Sequence, residues 1–410
     1  MINVLAMILA GGRVDELGVL TFFRPKSVLP FGGLYRVIDC SLSNLMHSGI
    51  EKVGILSQYR PFHLIRHIAN GEPWDMVGRN RCAAILPPFK GRTESDWYKG
   101  TADAVYQNID FINLHKPDLV MILSGDHVYR MDYRDLIAFH LETSADLTIA
   151  FTRVPVEGAS RFGLARIDDE EERGGRVLEY VEKPKTPSSE WASLTIYLFK
   201  PGLLIEALTQ NAQKASHEFG KDIIPLLVQG ARVYGYKHHG YWGYTRTLDE
   251  YWQTNMDLLG SHPRIDISTY RLRTNMAHRE IRDRGTAHLG RSAVVEDSLF
   301  YSGCDIRGTV VRSILFPGVR VAEGAVVEDS ILFFDDTIGP GAHISRTISD
   351  VEVHVAGQTE IGGSPGELTV IGRGTAIPPG IGIDAGVTVY PNLVSSSFTK
   401  SRYVKGEVIQ

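Results

Sequence analysis

The chain reads as two parts of different architecture. Residues 1–258 predict an α/β domain with a mostly parallel sheet, and residues 285–410 a left-handed parallel β-helix, joined by a linker at 259–284. Three observations carry this reading. Strand-like and helix-like stretches alternate up to Leu258. Helical periodicity then disappears after Gly285. Beyond that point aliphatic residues recur at six-residue intervals, the signature of a solenoid whose short strands share a core only by stacking.

The elements follow in order. Val4–Leu9 is an apolar run ending at Gly11-Gly12 and predicts a first buried strand. Leu34–Asp39 and Lys52–Ser57 predict further strands, with the helical spacing of Leu42, Leu45 and Met46 between them. Leu119–Leu123, closed by Ser124-Gly125-Asp126, and Asp146–Phe151 continue the series. Alternation of this kind argues for a parallel sheet. Ligands then lie beyond the carboxyl ends of the strands, where Gly11-Gly12 and Ser124-Gly125-Asp126 both fall. Residues 259–280 are polar and irregular. In the last part Ile371, Ile377, Ile383 and Val389 are six apart, Val326, Ile338 and Ile344 twelve and six, and Val294 and Ile306 twelve. Gly303, Gly318, Gly324, Gly339, Gly341 and Gly357 mark the intervening turns.

Composition narrows the function classes. The 410 residues carry 43 Lys and Arg against 48 Asp and Glu, a net charge of −5. That balance gives no electrostatic case for non-specific binding to nucleic acid or to an anionic membrane. Three cysteines, Cys40, Cys82 and Cys304, are scattered without CxxC spacing, which argues against a zinc site or a disulfide scaffold. No apolar run approaches the roughly 18 residues of a membrane span. Met1–Ala10 lacks a basic n-region and reads as a strand rather than a signal peptide, so a cytoplasmic protein is expected.

Chemistry-bearing residues cluster early. Gly11-Gly12-Arg13 follows the first strand, and Arg24 and Lys26 place two cations close behind a turn suited to phosphate. A solvated basic face is the alternative reading of that pair. The stretch Phe31-Gly32-Gly33-Leu34-Tyr35-Arg36-Val37-Ile38-Asp39, continuing to Leu42-Ser43-Asn44, resembles the ADP-glucose pyrophosphorylase (glucose-1-phosphate adenylyltransferase) family. So do Asp96-Trp97-Tyr98-Lys99-Gly100-Thr101-Ala102-Asp103, Ser124-Gly125-Asp126-His127, Ser160-Arg161-Phe162-Gly163, Val181-Glu182-Lys183-Pro184 and Phe219-Gly220-Lys221-Asp222. The blocks match in order along the chain.

The resemblance implies a Rossmann-like nucleotidyltransferase domain joined to a left-handed β-helix. It implies transfer of AMP from ATP to glucose 1-phosphate, giving ADP-glucose and pyrophosphate, as in bacterial glycogen synthesis. On the matching positions, Asp126 is a Mg²⁺ ligand and Lys26 lies near the α-phosphate. Gly11, Gly12, Arg13, Tyr98, Gly100, Thr101 and Asp103 bind the nucleotide, and Gly163, Glu182, Lys183 and Ser193 bind glucose 1-phosphate. A surface ion pair is the alternative for Glu182 and Lys183, and a turn cap for Asp126. The resemblance also implies a homo- or hetero-tetramer, in the second case with a catalytic paralogue, and an allosteric effector for which Arg24, Arg36 and Arg246 are basic candidates.

The sequence departs from the family pattern at two places. The family loop Gly-Gly-x-Gly-[Ser/Thr]-Arg-Leu is here Gly11-Gly12-Arg13-Val14-Asp15-Glu16-Leu17. Val14 replaces a glycine and Glu16 the phosphate-neutralising arginine; Arg13 remains in the loop. Two like unit charges about 4 Å apart repel by roughly 4 kcal/mol at an effective dielectric near 20. The second pattern, Tyr-Trp-x-Asp-[Val/Ile]-Gly-Thr, is here Tyr241-Trp242-Gly243-Tyr244-Thr245-Arg246-Thr247, so Tyr244 replaces the other Mg²⁺ carboxylate. A neutral phenol is a poor ligand for a hard cation. The family's Ser-Met-Gly is Ser193-Leu194-Thr195, which adds bulk beside the sugar. Three readings follow: a weakly catalytic or regulatory subunit, an active nucleotidyltransferase with a rebuilt site, or a sugar-phosphate or nucleotide sensor.

Overall fold

In a computed structural model, residues 2–12, 15–89, 97–168, 172–363 and 366–410 are described. Arg13, Val14 and Asp96 lie outside them. Contacts divide the chain into two compact units, one of residues 1–12 and 40–242, the other of residues 13–39 and 243–410. In this grouping the segment of residues 13–39, the helix Leu248–Met256 and residues 259–284 fall with the coils. The expected linker is itself folded, with a helical turn at Ile267–Tyr270 and buried Ile265, Tyr270, His278 and Ile281.

The first unit is built on a nine-stranded sheet. We number its strands β1 (Val4–Leu9), β2 (Lys52–Leu56), β3 (Cys82–Leu86), β4 (Leu119–Ser124), β5 (Leu147–Arg153), β6 (Gly163–Ile167), β7 (Gly174–Glu182), β8 (Trp191–Phe199) and β9 (Val233–Lys237). Their order is β3-β2-β1-β4-β8-β5-β9-β7-β6. The first four run parallel, as does β9 with β5, whereas β8 and the β6–β7 hairpin pair antiparallel. Residues such as Leu5, Met7, Val120 and Ile122 are fully buried in one core. A strand covered on both faces needs this near-continuous apolar run rather than alternation. The expected strand over Leu34–Asp39 shrinks to Tyr35–Arg36, because a helix begins at Ile38. Pairing of Leu9 with Ser124 brings the Gly11-Gly12 and Ser124-Gly125-Asp126 turns out side by side at the carboxyl ends of the parallel strands.

The second unit carries three parallel sheets of short strands, each strand pairing with its equivalent one coil later. This is the left-handed parallel β-helix expected from the six-residue period. Ile371, Ile377, Ile383 and Val389 all point inward. Val294 and Val326 do not: the inward ladder is Val310, Val327, Ile344, Ile361 and Ile383, one residue later. Side chains alternate faces along a strand, so a shift of one position reverses them. Among the described residues no helix is long and apolar enough to cross a membrane.

Candidate nucleotide and sugar-phosphate sites

In the first unit the loop after β1 leaves its strand with the Ala10 amide donating to the Leu56 carbonyl at 2.9 Å. A Cβ on Gly11 would stand 2.8 Å from the Gln58 nitrogen and 3.0 Å from Ser57 Cα, so only glycine lets β1 and β2 converge there. Among the described residues nothing lies within 4 Å of the corresponding position on Gly12. Gln58, which the sequence did not single out, clamps the next segment: its Oε1 accepts from the Tyr98 amide at 2.7 Å. A polar side chain just past the carboxyl end of a parallel strand was the available signal.

The expected nucleotide-binding side chains are largely engaged in holding this segment. The buried Tyr98 hydroxyl donates to the Leu86 carbonyl at 2.9 Å and accepts from Asn108 Nδ2 at 3.0 Å. Burial holds its phenol above the usual range. Thr101 donates its hydroxyl to Glu218 Oε2 at 2.6 Å, and Gly100 packs against the His217 carbonyl. Asp103 accepts from the Lys99 amide and from Gln107 Nε2, both at 2.8 Å. These residues shape the backbone of a wall.

Asp126, at the end of β4, accepts a hydrogen bond from the Ser124 hydroxyl. Its Oδ1 lies 3.4 Å from His127 Nε2, and its side chain is 26% exposed, so a ligand can reach it. The His127 ring stands edge-on to Trp242 at 5.3 Å, and Trp242 in turn to Phe162 at 5.3 Å.

The sugar-phosphate candidates converge at the end of β7. Glu182 Oε2 accepts from the Tyr180 hydroxyl at 3.1 Å. The two side chains share one face of the strand, as i, i+2 residues do, and this spacing was the legible sign of Tyr180. A side chain on Gly163 would collide with the Tyr180 hydroxyl, and one on Gly220 with the Glu182 carboxylate. Lys183 takes a left-handed backbone, φ 48°, with its amide donating to the Phe162 carbonyl at 3.0 Å. Its ammonium is then 3.8 Å from Glu182 Oε1 and half exposed.

Ser193 is buried where the register of β8 against β5 breaks, between Ser193 and Tyr197. Thr195 sits in that break with φ 55°, a left-handed conformation at the position where the resemblance has glycine. Its amide donates to Ser193 Oγ at 3.3 Å. Burial pushes the neighbouring Tyr197 phenol up to about 12, partly offset by hydrogen bonds from Ser193 and Thr195.

The other candidates lie in the second unit. Lys26 is buried, its ammonium 5.1 Å from the centre of the Tyr244 ring. Glu16 pairs with Arg246, Nη2 to Oε1 at 3.0 Å. A backbone hydrogen bond at Glu16, then Arg246 and Lys26, hold its carboxyl below the usual range against a partial burial effect. Arg246 precedes the helix Leu248–Met256, which starts with a capping box between Thr247 and Glu250. Asp249, the nearest carboxylate after Tyr244, is 75% exposed and directed to Arg346, 3.4 Å away.

Two of the basic effector candidates are corrected by the structure. Arg24 is buried in an ion pair with Asp350, and Arg36 is buried against Glu280 at 2.6 Å and over the Phe334 ring. Both guanidiniums are spent on internal carboxylates. Among the described residues no group of three or more His, Cys, Asp or Glu forms a metal cradle.

Comparison with known proteins agrees with this arrangement. A family model described as nucleotidyl transferase matches residues 5–261, and one described as GlmU-like, C-terminal hexapeptide matches residues 285–369. The chain is 41% identical over 394 residues to a glucose-1-phosphate adenylyltransferase of Desulfitobacterium hafniense, covering 94% of this chain and 97% of that one. It is 38% identical over 417 residues to the one of Acetivibrio thermocellus, with 97% and 95% covered. For the one of Thermotoga maritima the values are 44% over 330 residues, with 80% and 76% covered. Identity of this extent, across both the sheet unit and the solenoid, places the chain in the glucose-1-phosphate adenylyltransferase family of nucleotidyl transferases.

Proposed function

We propose that the chain is a cytoplasmic ADP-glucose pyrophosphorylase subunit that binds ATP and glucose 1-phosphate but turns over slowly alone. It would act as a regulatory or weakly catalytic member of a tetramer with a catalytic paralogue. The observation that carries this reading is the fate of the carboxylates near position 244. Tyr244 offers a phenol, Asp249 is directed to Arg346, and Glu16 is engaged by Arg246.

The residues of the first unit suit the substrates. Lys183 holds the phosphate of glucose 1-phosphate and Glu182, oriented by Tyr180, the sugar hydroxyls. Gly163 and Gly220 keep the space beside that carboxylate clear. Bound so, the sugar phosphate attacks the α-phosphorus of ATP in line and pyrophosphate leaves. Lys26 supplies positive charge to the phosphoryl group in flight. A Mg²⁺ carried in with the nucleotide would be held on this chain by the reachable carboxylate of Asp126, a hard oxygen donor of the kind that ion takes. When bound, the ion neutralises charge on the transferring group.

A second reading, an active enzyme with a rebuilt site, is favoured by one observation: Arg246 brings a cation to Glu16, where the family has its arginine. Release of pyrophosphate from ATP, Mg²⁺ and glucose 1-phosphate by the purified chain separates the two. Turnover equal to that of ordinary family enzymes overturns the first reading. Slow turnover that rises on co-purification with the paralogue supports it, and binding without turnover in either setting leaves a sensor.

A further inference from the structure

Glu16, Lys26, Tyr244 and Arg246 form one constellation within the second unit. Two donors of the Arg246 guanidinium reach the same oxygen, Nη2 to Glu16 Oε1 at 3.0 Å and Nε at 3.1 Å. Tyr244 touches both cations: its hydroxyl accepts a hydrogen bond from the Arg246 guanidinium, and its ring lies under the Lys26 ammonium at 5.1 Å. Lys26 also acts on Glu16 through space. Among these four residues one carboxylate therefore faces two cations, while Glu250 accepts from the Arg246 backbone amide at 3.1 Å.

The three changed positions compensate each other. In the pattern this chain resembles, positions 16, 26, 244 and 246 are Arg, Lys, Asp and Gly; here they are Glu, Lys, Tyr and Arg. Each set holds two cations and one carboxylate. The cation has moved from the loop to the strand side, and the carboxylate the other way, with the charge of these four positions kept; Asp15, where that pattern has Ser or Thr, adds one negative charge to the loop.

The Glu16–Arg246 pair is also reachable. Its side chains are 45% and 40% exposed, so water screens their attraction and the pair is weakly held. The guanidinium fork matches phosphate oxygens as well as carboxylate oxygens, and a polyphosphate carries more charge than one glutamate.

We propose that Arg246, with Lys26 beside it, is an oxyanion-binding residue that takes the polyphosphate of the nucleotide, and that Glu16 is the resident counter-ion the polyphosphate must displace. The identity of the ligand as a nucleotide rests on the function proposed above; the displacement does not. Glu16 thereby acts as a brake on polyphosphate binding, and its removal strengthens binding only while Arg246 is present.

The test is calorimetric titration of the full chain with inorganic tripolyphosphate, without sugar phosphate. Glu16→Gln is expected to tighten binding about three- to tenfold, and Arg246→Ala to weaken it by about tenfold or more, the scale of a charge-assisted hydrogen bond. In Glu16→Gln/Arg246→Ala the gain from Glu16→Gln disappears. Arg246→Lys, which keeps the charge and loses the fork, falls between. Unchanged thermal midpoints show that the variants fold, and the Glu16→Gln gain stands without Arg246→Ala should that variant unfold. An Arg246→Ala affinity within about twofold of the parent overturns the proposal. So does a Glu16→Gln gain that persists without Arg246, or a lack of binding by both parent and Glu16→Gln. ADP-glucose formation is measured separately. A chain that binds tripolyphosphate in this pattern and makes no ADP-glucose with or without the paralogue keeps this inference and loses the proposed function; slow synthesis that rises with the paralogue, with a tripolyphosphate affinity unchanged by Arg246→Ala, does the reverse.

Discussion

The Arg24 guanidinium and the Asp350 carboxylate, 326 positions apart, form an ion pair inside the second unit. Arg24 Nε also donates to the Leu20 carbonyl at 3.1 Å, and its guanidinium lies 5.7 Å from the Phe333 ring. The pair fastens the segment ahead of Lys26 to the wall of the solenoid.

Breaking this pair from one side strands a buried charge. Arg24→Ala is expected to destabilise by about 3–5 kcal/mol, whereas Arg24→Met with Asp350→Leu costs far less, because no ion is left unpaired. Urea unfolding of the two variants checks the difference, and equal losses would count against it.

Thr195 carries a β-branched side chain at φ 55°. Such a conformation costs about 1–3 kcal/mol, and glycine relieves it at a smaller entropic cost. Thr195→Gly is expected to raise stability by about 1 kcal/mol, whereas Thr195→Ala, which keeps a Cβ, is not. Thermal denaturation of the two variants distinguishes strain from lost packing.

Asp336 is buried in the solenoid, accepting from the Val353 amide at 2.8 Å, and its Oδ2 has no hydrogen-bond partner among the described residues. Burial raises its pKa well above the ordinary value, despite the hydrogen bond from Val353. The folded chain therefore keeps a proton that the unfolded chain loses above about pH 4, so this residue lowers stability as pH rises. Asp336→Asn should remove that slope and gain on the parent with rising pH, in denaturant melts between pH 5 and 9. A difference that does not change with pH would refute the assignment.

His140 is buried in the first unit beside Thr148, Nδ1 to Oγ1 at 2.8 Å. Burial, with Lys200 nearby, depresses its pKa to about 4. The unfolded imidazole takes up its proton near pH 6.5, so stability is full above that value and falls as pH drops toward 4. His140→Gln should flatten this acid limb in unfolding curves.

Lys183 and Glu182 are predicted to act on glucose 1-phosphate rather than on ATP. Loss of a charged hydrogen bond costs roughly 1.5–3 kcal/mol, so Lys183→Ala should raise the KM for glucose 1-phosphate about 10- to 150-fold. The KM for ATP should stay near the parent value. Steady-state assays with each substrate varied in turn decide it, and a shared rise in both constants would point to a structural role.

Much of the architecture was legible along the chain. The strand over Val4–Leu9, the turns at Gly11-Gly12 and Ser124-Gly125-Asp126, and the six-residue repeat are local patterns of apolar and turn residues, and each forms as expected. The blocks carrying Asp126, Glu182 and Lys183 likewise declare their family without coordinates. Long-range partners are a different matter, because charge and spacing are blind to what folding brings alongside. Arg24 and Arg36 read as effector-binding cations until Asp350 and Glu280 are seen beside them in the interior. The inward face of the solenoid was displaced by one residue at Val294 and Val326, since alternation leaves register open until the coils stack. Glu16 appears as a bare negative charge, and only chain folding over 230 positions supplies Arg246 to meet it. Composition and periodicity thus specify which elements form and what chemistry they carry. Which charges are buried, paired or left to a ligand depends on contacts between residues distant in sequence, where desolvation and Coulomb attraction act together.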